Sequence, residues 1–345
     1  MIDTTSGTLI TIILFVTGLL ATAAIRAWAH HRNMLVVPSE RCSHEIPTPH
    51  GGGIAVAGLI IALGLLALRV GWLPAQTSML AFVCLGGTML ALGVWDDFGH
   101  VSAKFRLAIH FIVAGIGLVF LPSLPVISFF GLQVDATTSL LLWPLLLASW
   151  VWLINLYNFM DGIDGLAALQ ALLLFTGMAL NFWYTGAYEW AWACVFMASA
   201  VMSFTVFNWP PAKIFMGDGG SGFLGFVIGF LALFSATVTD VSLWSWAILI
   251  TLFISDATST LLVRLFTGQN VLQAHRSHAY QVLSRKLGGH LPVTIGYGTV
   301  ILFGLIPLSW LANTYPATGF ALFLISFAIA CTVALKLGCG RQEVV

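Results

Sequence analysis

The sequence contains few charged residues. Only 8% of its 345 residues are charged, and the 13 basic residues balance the 13 acidic ones. Soluble domains carry about 25% charged residues, so this chain lacks the side chains that normally coat a water-facing surface. The lack of a basic excess also argues against a nucleic-acid partner. Because 59% of the residues are hydrophobic, the composition indicates an integral membrane protein.

Several other features are missing. The five cysteines have no metal-ligand spacing and are interpreted as small apolar residues. The GxxxxGK[ST] pattern of a P-loop is absent. The first residues, "MIDTTSG", lack a basic n-region, so we expect a retained first span rather than a cleaved signal peptide. No repeat or second domain is visible, and we predict a single polytopic domain over 1–345.

Long apolar runs dominate the chain. A helix that spans a bilayer needs about 20 mostly apolar residues, and these runs lack the alternation of barrel strands. We therefore predict an all-α bundle of about eleven transmembrane helices. The predicted spans are 8–28, 51–70, 77–95, 105–122, 139–158, 166–183, 188–207, 222–238, 243–265, 293–312 and 317–336. The loops on the side with few basic residues are short except for 123–138. We expect that loop to form a small hairpin.

The basic residues predict the orientation. With eleven spans, every Lys and Arg except Arg69 falls in one set of loops. Cytoplasmic loops are enriched in these residues, so that set is predicted to face the cytoplasm. The N-terminus is then outside and the C-terminus inside. Almost all residues capable of chemistry lie in the same cytoplasmic loops.

The first of four polar clusters is "GVWDDFGHVSAKFR" (93–106). It places Asp96 and Asp97 where a span ends, with Lys104 and Arg106 at the start of the next span. Adjacent carboxylates repel each other, and a nearby cation or metal relieves the repulsion. The alternative is a charge pair that only marks the membrane edge.

The second cluster is "NLYNFMDGIDG" (155–165). Its two asparagines and two aspartates recur every three residues, so they would be neighbours on a helix. Its two glycines permit close approach of the backbone to a ligand. A solvated turn would not require two carboxamides in the last turns of a span, and we therefore favour a functional site.

The third cluster is "FNWPPAKIFMGDGGSGFLG" (207–225). Asp218 lies among glycines before the next span, and Ser221 is a candidate cap for that helix, whose N-terminus would favour an anion. An acid beside such a helix start suits magnesium that bridges to a phosphate. The alternative is a flexible loop.

The fourth cluster is "QAHRSHAYQVLSRKLGGH" (273–290). His275, Arg276 and His278 lie close together, and the arginine favours a phosphate over a metal. An ordinary positive-inside loop is the alternative. Separately, Asp256 lies within the ninth span, where acids are costly. It could line the site, bond to a neighbouring helix or relay protons.

The four clusters together indicate an acidic, magnesium-like centre beside phosphate-binding loops on one membrane face. That arrangement suits phosphoryl transfer between a nucleotide-linked donor and a membrane-anchored acceptor. A transporter is the main alternative from another class, although transporters place ionisable groups near the midplane. A CDP-alcohol phosphatidyltransferase is disfavoured because the Ala-Arg of its pattern does not follow Asp161-Gly162.

Four segments resemble the polyprenyl-phosphate N-acetylhexosamine-1-phosphate transferases. They are "PTPHGGG" (47–53), "DDFGHVSAKFR" (96–106), "NLYNFMDGIDGL" (155–166) and "FNWPPAKIFMGDGGS" (207–221). The resemblance implies transfer of a sugar 1-phosphate from a UDP-N-acetylsugar to undecaprenyl phosphate, with release of UMP. It implies that the reaction uses Mg²⁺, for which Mn²⁺ can substitute. It also implies a multi-pass protein of the bacterial inner membrane, and it is compatible with a homodimer.

The resemblance also assigns roles to residues. Asp218 matches the magnesium-binding aspartate, with help from Asn158, and Asp96 matches the residue that deprotonates or positions the lipid phosphate, with support from Asp97. Lys104 is expected to meet a phosphate. The nucleotide and donor positions are Asn155, Asp161, Gly162, Ile163, Asp164 and Phe215, whose ring would stack on uracil. The expected diphosphate contacts are His275, Arg276 and His278. Direct attack and a covalent intermediate are both compatible with these residues.

One departure from the family pattern is informative. Many members carry an HxHH-like motif in the last large inner loop, where this chain has "HRSHAYQ". That variant, together with "SERCSHEIPTPHGGG", resembles the branch that initiates O-antigen synthesis, which often uses UDP-N-acetyl-fucosamine or UDP-N-acetyl-quinovosamine. The departure counts against the peptidoglycan branch, the phospho-muramyl-pentapeptide transferases, which remains the alternative.

Overall fold

The structure is a computed structural model of the whole chain. It describes residues 2–32, 35–36, 47–99, 101–135, 137, 139, 141–271, 273 and 275–341. Residues 39–46 of "SERCSHEIPTPHGGG" and His100 of "DDFGHVSAKFR" lie outside the described residues.

The described chain is mostly helical. Its helices are α1 (Thr4–His31), α2 (Gly53–Val70), α3 (Gln76–Gly99), α4 (Ala103–Val119), α5 (Leu142–Phe159), α6 (Leu166–Tyr184), α7 (Tyr188–Asn208), α8 (Asp218–Val238), α9 (Leu243–Leu249), α10 (Thr251–Phe266), α11 (Ala279–Leu287), α12 (His290–Val300), α13 (Ile306–Thr314) and α14 (Gly319–Leu337). A π-helical turn, Ile301–Leu305, joins α12 to α13, and a 3₁₀ turn, Pro316–Thr318, precedes α14.

The prediction of an all-α polytopic membrane protein is confirmed. Within the described ranges, nine helical segments are long and apolar enough to cross a membrane, or ten if α9 and α10 form one span. Each of the eleven predicted spans coincides with helix. However, α4 has only 17 residues, and the ninth span is bent by 69° between α9 and α10 rather than straight. The exact number of spans and the outside position of the N-terminus stay predictions.

Two short antiparallel hairpins interrupt the helices. Strands β1 (Leu35–Val36) and β2 (Thr48–Pro49) pair before α2. Strands β3 (Val126–Phe129) and β4 (Leu132–Asp135) form the hairpin expected in 123–138. Phe130 and Gly131 both have positive φ, as a two-residue turn that follows the strand twist requires.

Helix α8 is the centre of the bundle. Its most apolar window is 83% buried, compared with 11% for α1 and α14. Glycines let neighbouring helices approach its backbone: a Cβ at Gly225 would lie 2.8 Å from the Ile154 Cα of α5. Trp150 donates a hydrogen bond of 3.2 Å from its indole nitrogen to the Phe226 carbonyl. This packing fixes the N-terminus of α8, where Asp218 lies, against α3 and α5.

Candidate active site

Four helix ends meet at one end of the bundle. The last turn of α3 carries Asp96 and Asp97, the first turn of α4 carries Arg106, and the last turn of α5 carries Asn158. Asp218 is the first residue of α8. The structure thus brings together three of the four polar clusters, which lie up to 122 residues apart in sequence.

Arg106 lies between two carboxylates of this site. Its Nη1 donates a hydrogen bond of 2.7 Å to Asp218 Oδ2 and another to Asp96 Oδ2. Asp96 also accepts a 2.7 Å hydrogen bond from the backbone N–H of Val101. The two aspartates therefore converge on a single cationic point. Sequence reasoning placed Arg106 nearby but gave the phosphate role to Lys104, which is exposed and does not line the central cavity.

Asp97 has a different partner from its neighbour. Its carboxylate accepts hydrogen bonds from the backbone N–H groups of Asp218, at 2.8 Å, and Gly219, at 3.1 Å. These are orphan donors at the start of α8, so Asp97 caps that helix. The prediction that Ser221 is the cap is wrong, because α8 begins at Asp218, and Ser221 lies inside its first turn.

Asn158 contacts Asp218 directly. Its Nδ2 donates hydrogen bonds of 2.8 Å to Asp218 Oδ1 and 3.0 Å to the Ser221 hydroxyl. The contact shows that the two side chains are neighbours, and the metal-binding roles of Asp218 and Asn158 stay predictions. Asn155, by contrast, donates from Nδ2 to the Val151 carbonyl of its own helix at 2.7 Å.

A small cavity opens between these groups. Its volume is about 30 Å³, enough for a water molecule or a small ion. It is lined by Met89, Leu92, Gly93, Asp96, Arg106, His110, Ile154, Asn155, Asn158, Phe159, Asp218 and Gly222. His110, one helical turn beyond Arg106, is buried and lines the cavity together with Asn155. Its Nδ1 has no hydrogen-bond partner within the described part of the chain. Sequence reasoning missed this residue, because a lone histidine in an apolar span carries no motif.

The donor set around the cavity fits magnesium. Mg²⁺ is usually held by one or two carboxylates, and waters and substrate phosphates complete its octahedron. Asp96 and Asp218 supply two carboxylates, and Asn158 adds a carboxamide whose nitrogen bonds to Asp218. Among the described residues, no group of three or more His, Cys, Asp or Glu side chains is placed to hold a metal. The site therefore suits a hard ion that depends on its substrate for further ligands.

The segment 160–165 forms a tight loop beside this centre. Ile163 is buried, so only its backbone can face a ligand there. Asp161 keeps some exposed surface, but burial raises the pKa of its carboxyl well above the ordinary value. The negative charges of Asp218, Asp97 and Asp164 raise it further. A Cβ at Gly162 would collide with the Tyr280 hydroxyl, so the absence of a side chain there is a packing requirement.

Asp164 joins this loop to two other elements. Its Oδ2 accepts a 3.0 Å hydrogen bond from the Ala212 N–H, and its Oδ1 lies 3.2 Å from Nδ1 of His290. Its backbone carbonyl accepts from the Thr294 hydroxyl at 2.8 Å. The residue is only 9% exposed, so Asp164 fixes the shape of the predicted nucleotide loop from within.

The "PTPHGGG" segment packs against the loop before α8. Phe215 donates its N–H to the Pro49 carbonyl at 2.9 Å and accepts from the Gly52 N–H at 2.9 Å. A Cβ at Gly53 would strike the backbone of Gly220. His50 is thereby brought to 3.8 Å from Asp97. These contacts explain why two glycine-rich motifs, far apart in sequence, act as one structural unit.

The fourth cluster lies to one side of the central cavity. The His275 and His278 rings stack with centroids 5.0 Å apart, and His278 is buried, with Nδ1 at 3.3 Å from Asp256. Burial and the charges of His278 and Arg264 lower the pKa of His275 to about 4. His275 is then neutral at pH 7, so it could contact a phosphate only as a hydrogen-bond donor. The phosphate roles of His275, Arg276 and His278 stay predictions.

Comparison with known proteins identifies the superfamily. Residues 79–236 match the model of glycosyl transferase family 4. The chain is 33% identical over 229 residues to a decaprenyl-phosphate N-acetylglucosaminephosphotransferase of Mycolicibacterium smegmatis, covering 61% of this chain and 55% of that protein. It is 25% identical over 320 residues to a probable undecaprenyl-phosphate N-acetylglucosaminyl 1-phosphate transferase of Bacillus subtilis, covering 91% and 87%. Over residues 79–236, the chain is therefore similar to glycosyl transferase family 4.

A third relative belongs to the peptidoglycan branch. The chain is 32% identical over 231 residues to a phospho-N-acetylmuramoyl-pentapeptide-transferase of Prochlorococcus marinus, covering 62% of this chain and 60% of that protein. The matched regions thus span little more than half of the Mycolicibacterium and Prochlorococcus proteins. The resemblance to the polyprenyl-phosphate hexosamine-1-phosphate transferases is confirmed at the level of the superfamily.

The family match separates two parts of the site. Within the glycosyl transferase family 4 segment lie Asp96, Asp97, Arg106, Asn158 and Asp218, together with the 160–165 loop. The His275–His278 cluster and Asp256 lie beyond residue 236. The family match assigns no role to any single residue. The roles of Asp96, Asp97, Arg106, Asn158 and Asp218 are therefore argued from the geometry described above.

Proposed function

We propose that the protein transfers an N-acetylsugar 1-phosphate from a UDP-sugar to undecaprenyl phosphate. A phosphate oxygen of the lipid attacks the β-phosphorus of the donor, and the bond to the bridging oxygen breaks. The products are undecaprenyl-diphospho-sugar and UMP. The reaction takes place at the cytoplasmic face of a bacterial inner membrane.

The convergence of Asp96 and Asp218 on Arg106 carries this proposal. Two carboxylates and a guanidinium share one point beside a cavity at the end of four apolar helices. Phosphoryl transfer depends mainly on positioning and on charge stabilisation, so alternating charges at a membrane edge suit it. An acceptor anchored in the bilayer would reach the cavity from the apolar side, and a soluble donor would approach the 160–165 loop.

The residues divide the work. Asp218 and Asn158 would hold Mg²⁺, which when bound neutralises the diphosphate charge. Asp96 positions the lipid phosphate and accepts its proton. Arg106 balances the aspartates before substrate arrives and is placed to contact a phosphate oxygen afterwards. Asp97 holds the N-terminus of α8 in place.

The O-antigen branch is the favoured setting. The "HRSHAYQ" stretch in place of an HxHH-like motif supports a donor such as UDP-N-acetyl-fucosamine, UDP-N-acetyl-quinovosamine or UDP-N-acetylglucosamine. The alternative is UDP-N-acetylmuramoyl-pentapeptide, which the 32% identity to the Prochlorococcus protein supports. A panel of these donors with undecaprenyl phosphate and Mg²⁺ separates the two branches.

The test is UMP release by purified protein in detergent or nanodiscs. We expect turnover with at least one N-acetylsugar donor, and a loss of about a thousandfold in Asp218→Asn, because the metal-binding charge is removed. Asp240→Asn, an exposed aspartate outside the site, is the matched control. No turnover with any donor, or full activity in Asp218→Asn, would refute the proposal, and Asp256-dependent flux into liposomes would favour a transporter.

A further inference from the structure

Asp256 is a buried carboxylate outside the catalytic cluster. It lies in α10, and only 2% of its surface is exposed. Its Oδ1 accepts hydrogen bonds from the backbone N–H of Ala279, at 2.8 Å, and from the Thr260 hydroxyl, at 3.1 Å. Its Oδ2 accepts from the backbone N–H of Tyr280 at 2.9 Å. Both oxygens are therefore satisfied, which is the condition for keeping a carboxylate inside an apolar bundle.

The donors belong to the start of another helix. Ala279 and Tyr280 are the first two residues of α11, and their N–H groups have no partner within that helix. The positive end of the helix dipole stabilises the buried negative charge. His278, just before the helix, turns its Nδ1 to 3.3 Å from Asp256 Oδ1. Asp256 thus fixes both the position and the orientation of α11.

Helix α11 in turn supports the 160–165 loop. The Tyr280 hydroxyl donates a 2.9 Å hydrogen bond to the carbonyl of Phe159, the last residue before that loop. The same hydroxyl lies directly against Gly162. The His278 ring stacks on the Phe159 ring with centroids 6.2 Å apart. A continuous series of contacts therefore runs from Asp256 through Tyr280 to the backbone of the predicted nucleotide loop.

We propose that Asp256 is a positioning residue for donor binding. It acts through α11 and Tyr280, which hold the 160–165 loop in the shape that receives the nucleotide. This inference rests on the proposed function, since the ligand of the loop is the UDP-sugar. Of the three roles open to Asp256 from sequence, its contacts favour bonding to a neighbouring helix.

Two measurements on Asp256→Asn test the proposal. The amide group would turn one acceptor into a donor that faces backbone N–H groups, so α11 should loosen. We expect faster hydrogen–deuterium exchange in 279–287 and also in 159–165, compared with wild type and with the control Asp240→Asn. In turnover assays, the KM for the UDP-sugar should rise by about tenfold or more, whereas the KM for undecaprenyl phosphate should change little.

Tyr280→Phe provides a second variant that keeps the helix anchor. It removes only the hydroxyl that reaches Phe159, so it should raise exchange in 159–165 without raising it in 279–287. It should also raise the donor KM by about fivefold. Because both variants interrupt the same series of contacts, the donor KM of the double variant should be lower than the product of the two single effects predicts.

The outcomes separate this inference from the proposed function. If Asp256→Asn loosens 279–287 but leaves exchange in 159–165 unchanged, Asp256 is purely structural and the inference is wrong. A rise in the lipid KM with no change in the donor KM would also overturn it. If wild-type protein releases no UMP from any donor, the proposed function fails, and the exchange data still decide whether Asp256 controls the loop.

Discussion

The carboxylate of Asp97 accepts a 2.8 Å hydrogen bond from the backbone N–H of Asp218. The residue expected to support catalysis thus holds the first turn of the helix that carries the expected metal ligand. Asp96, its neighbour in sequence, points instead toward Arg106. Two adjacent aspartates therefore have separate tasks, and substituting each one should give a different result.

We expect Asp97→Ala to lower both stability and turnover. Loss of a helix cap costs about 0.5–2 kcal/mol of unfolding free energy, and here it also releases Asp218. Asp3→Ala is the matched control, because Asp3 caps α1 through the Ser6 N–H far from the site. The melting temperature and the rate of UMP release should both fall in Asp97→Ala. In Asp3→Ala only the melting temperature should fall. Equal turnover in the two variants would contradict the assignment.

Arg106→Gln should cost more activity than any other single cation change. The substitution leaves Asp96 and Asp218 without their shared cation, so their repulsion distorts the site. Loss of one charge-stabilising group typically lowers turnover by about a hundredfold or more. Arg69→Gln is the control, because Arg69 is exposed and lies at the C-terminal end of α2, whereas the N-terminal end of that helix packs near the site. If Lys104→Gln proved more damaging than Arg106→Gln, the original sequence assignment would be right and this one wrong.

The pair His110→Leu and His110→Gln tests whether His110, in the lining of the cavity, binds the lipid phosphate. His110 lies one turn beyond Arg106 in α4, on the membrane side, and its Nδ1 has no hydrogen-bond partner among the residues that the structure describes. We expect His110→Leu to raise the KM for undecaprenyl phosphate by about tenfold, because a hydrogen bond to a charged phosphate is lost. His110→Gln should restore much of the affinity. A change in the KM for the UDP-sugar alone would contradict this placement.

Asp164→Asn should weaken donor binding. Its carboxylate joins the 160–165 loop to Ala212 and His290, so the amide would remove one of two acceptors that hold the loop. We expect the KM for the UDP-sugar to rise by about tenfold while Mg²⁺ dependence stays normal. Direct titration with UMP provides the check. Unchanged nucleotide affinity would show that Asp164 does not shape the donor site.

Acid should destabilise the protein partly through His275. The pKa of this imidazole falls from 6.5 to about 4 on folding, mainly because of burial. Between these values the unfolded chain binds the extra proton, so the stability that this group contributes is full above pH 6.5 and is lost as the pH falls toward 4. His275→Gln should flatten the decline of melting temperature over that range, and His31→Gln, at an exposed position, should not. An unchanged slope in His275→Gln would contradict the shift.

Much of the fold could be predicted from the sequence. Apolar runs of sufficient length must form helices in lipid, since the backbone has no other way to satisfy its hydrogen bonds. The order of the helices and the hairpin at 126–135 follow from such local signals. The bend between α9 and α10 could not be predicted, because no proline or glycine marks it. The start of α8 at Asp218 was also missed, because its cap, Asp97, lies 121 residues away.

The candidate site was predictable as a set of residue types and not as an arrangement. Motif spacing alone indicates that Asp96, Asp97, Asn158 and Asp218 share one membrane face. Only the packing of α3, α4, α5 and α8 brings the guanidinium of Arg106 between two aspartates and leaves His110 facing a cavity. Likewise, sequence locates Asp256 inside a span, but its role depends on the N-terminus of α11. Local sequence determines which segments enter the bilayer, whereas distances between side chains on separate helices are decided by how those helices pack.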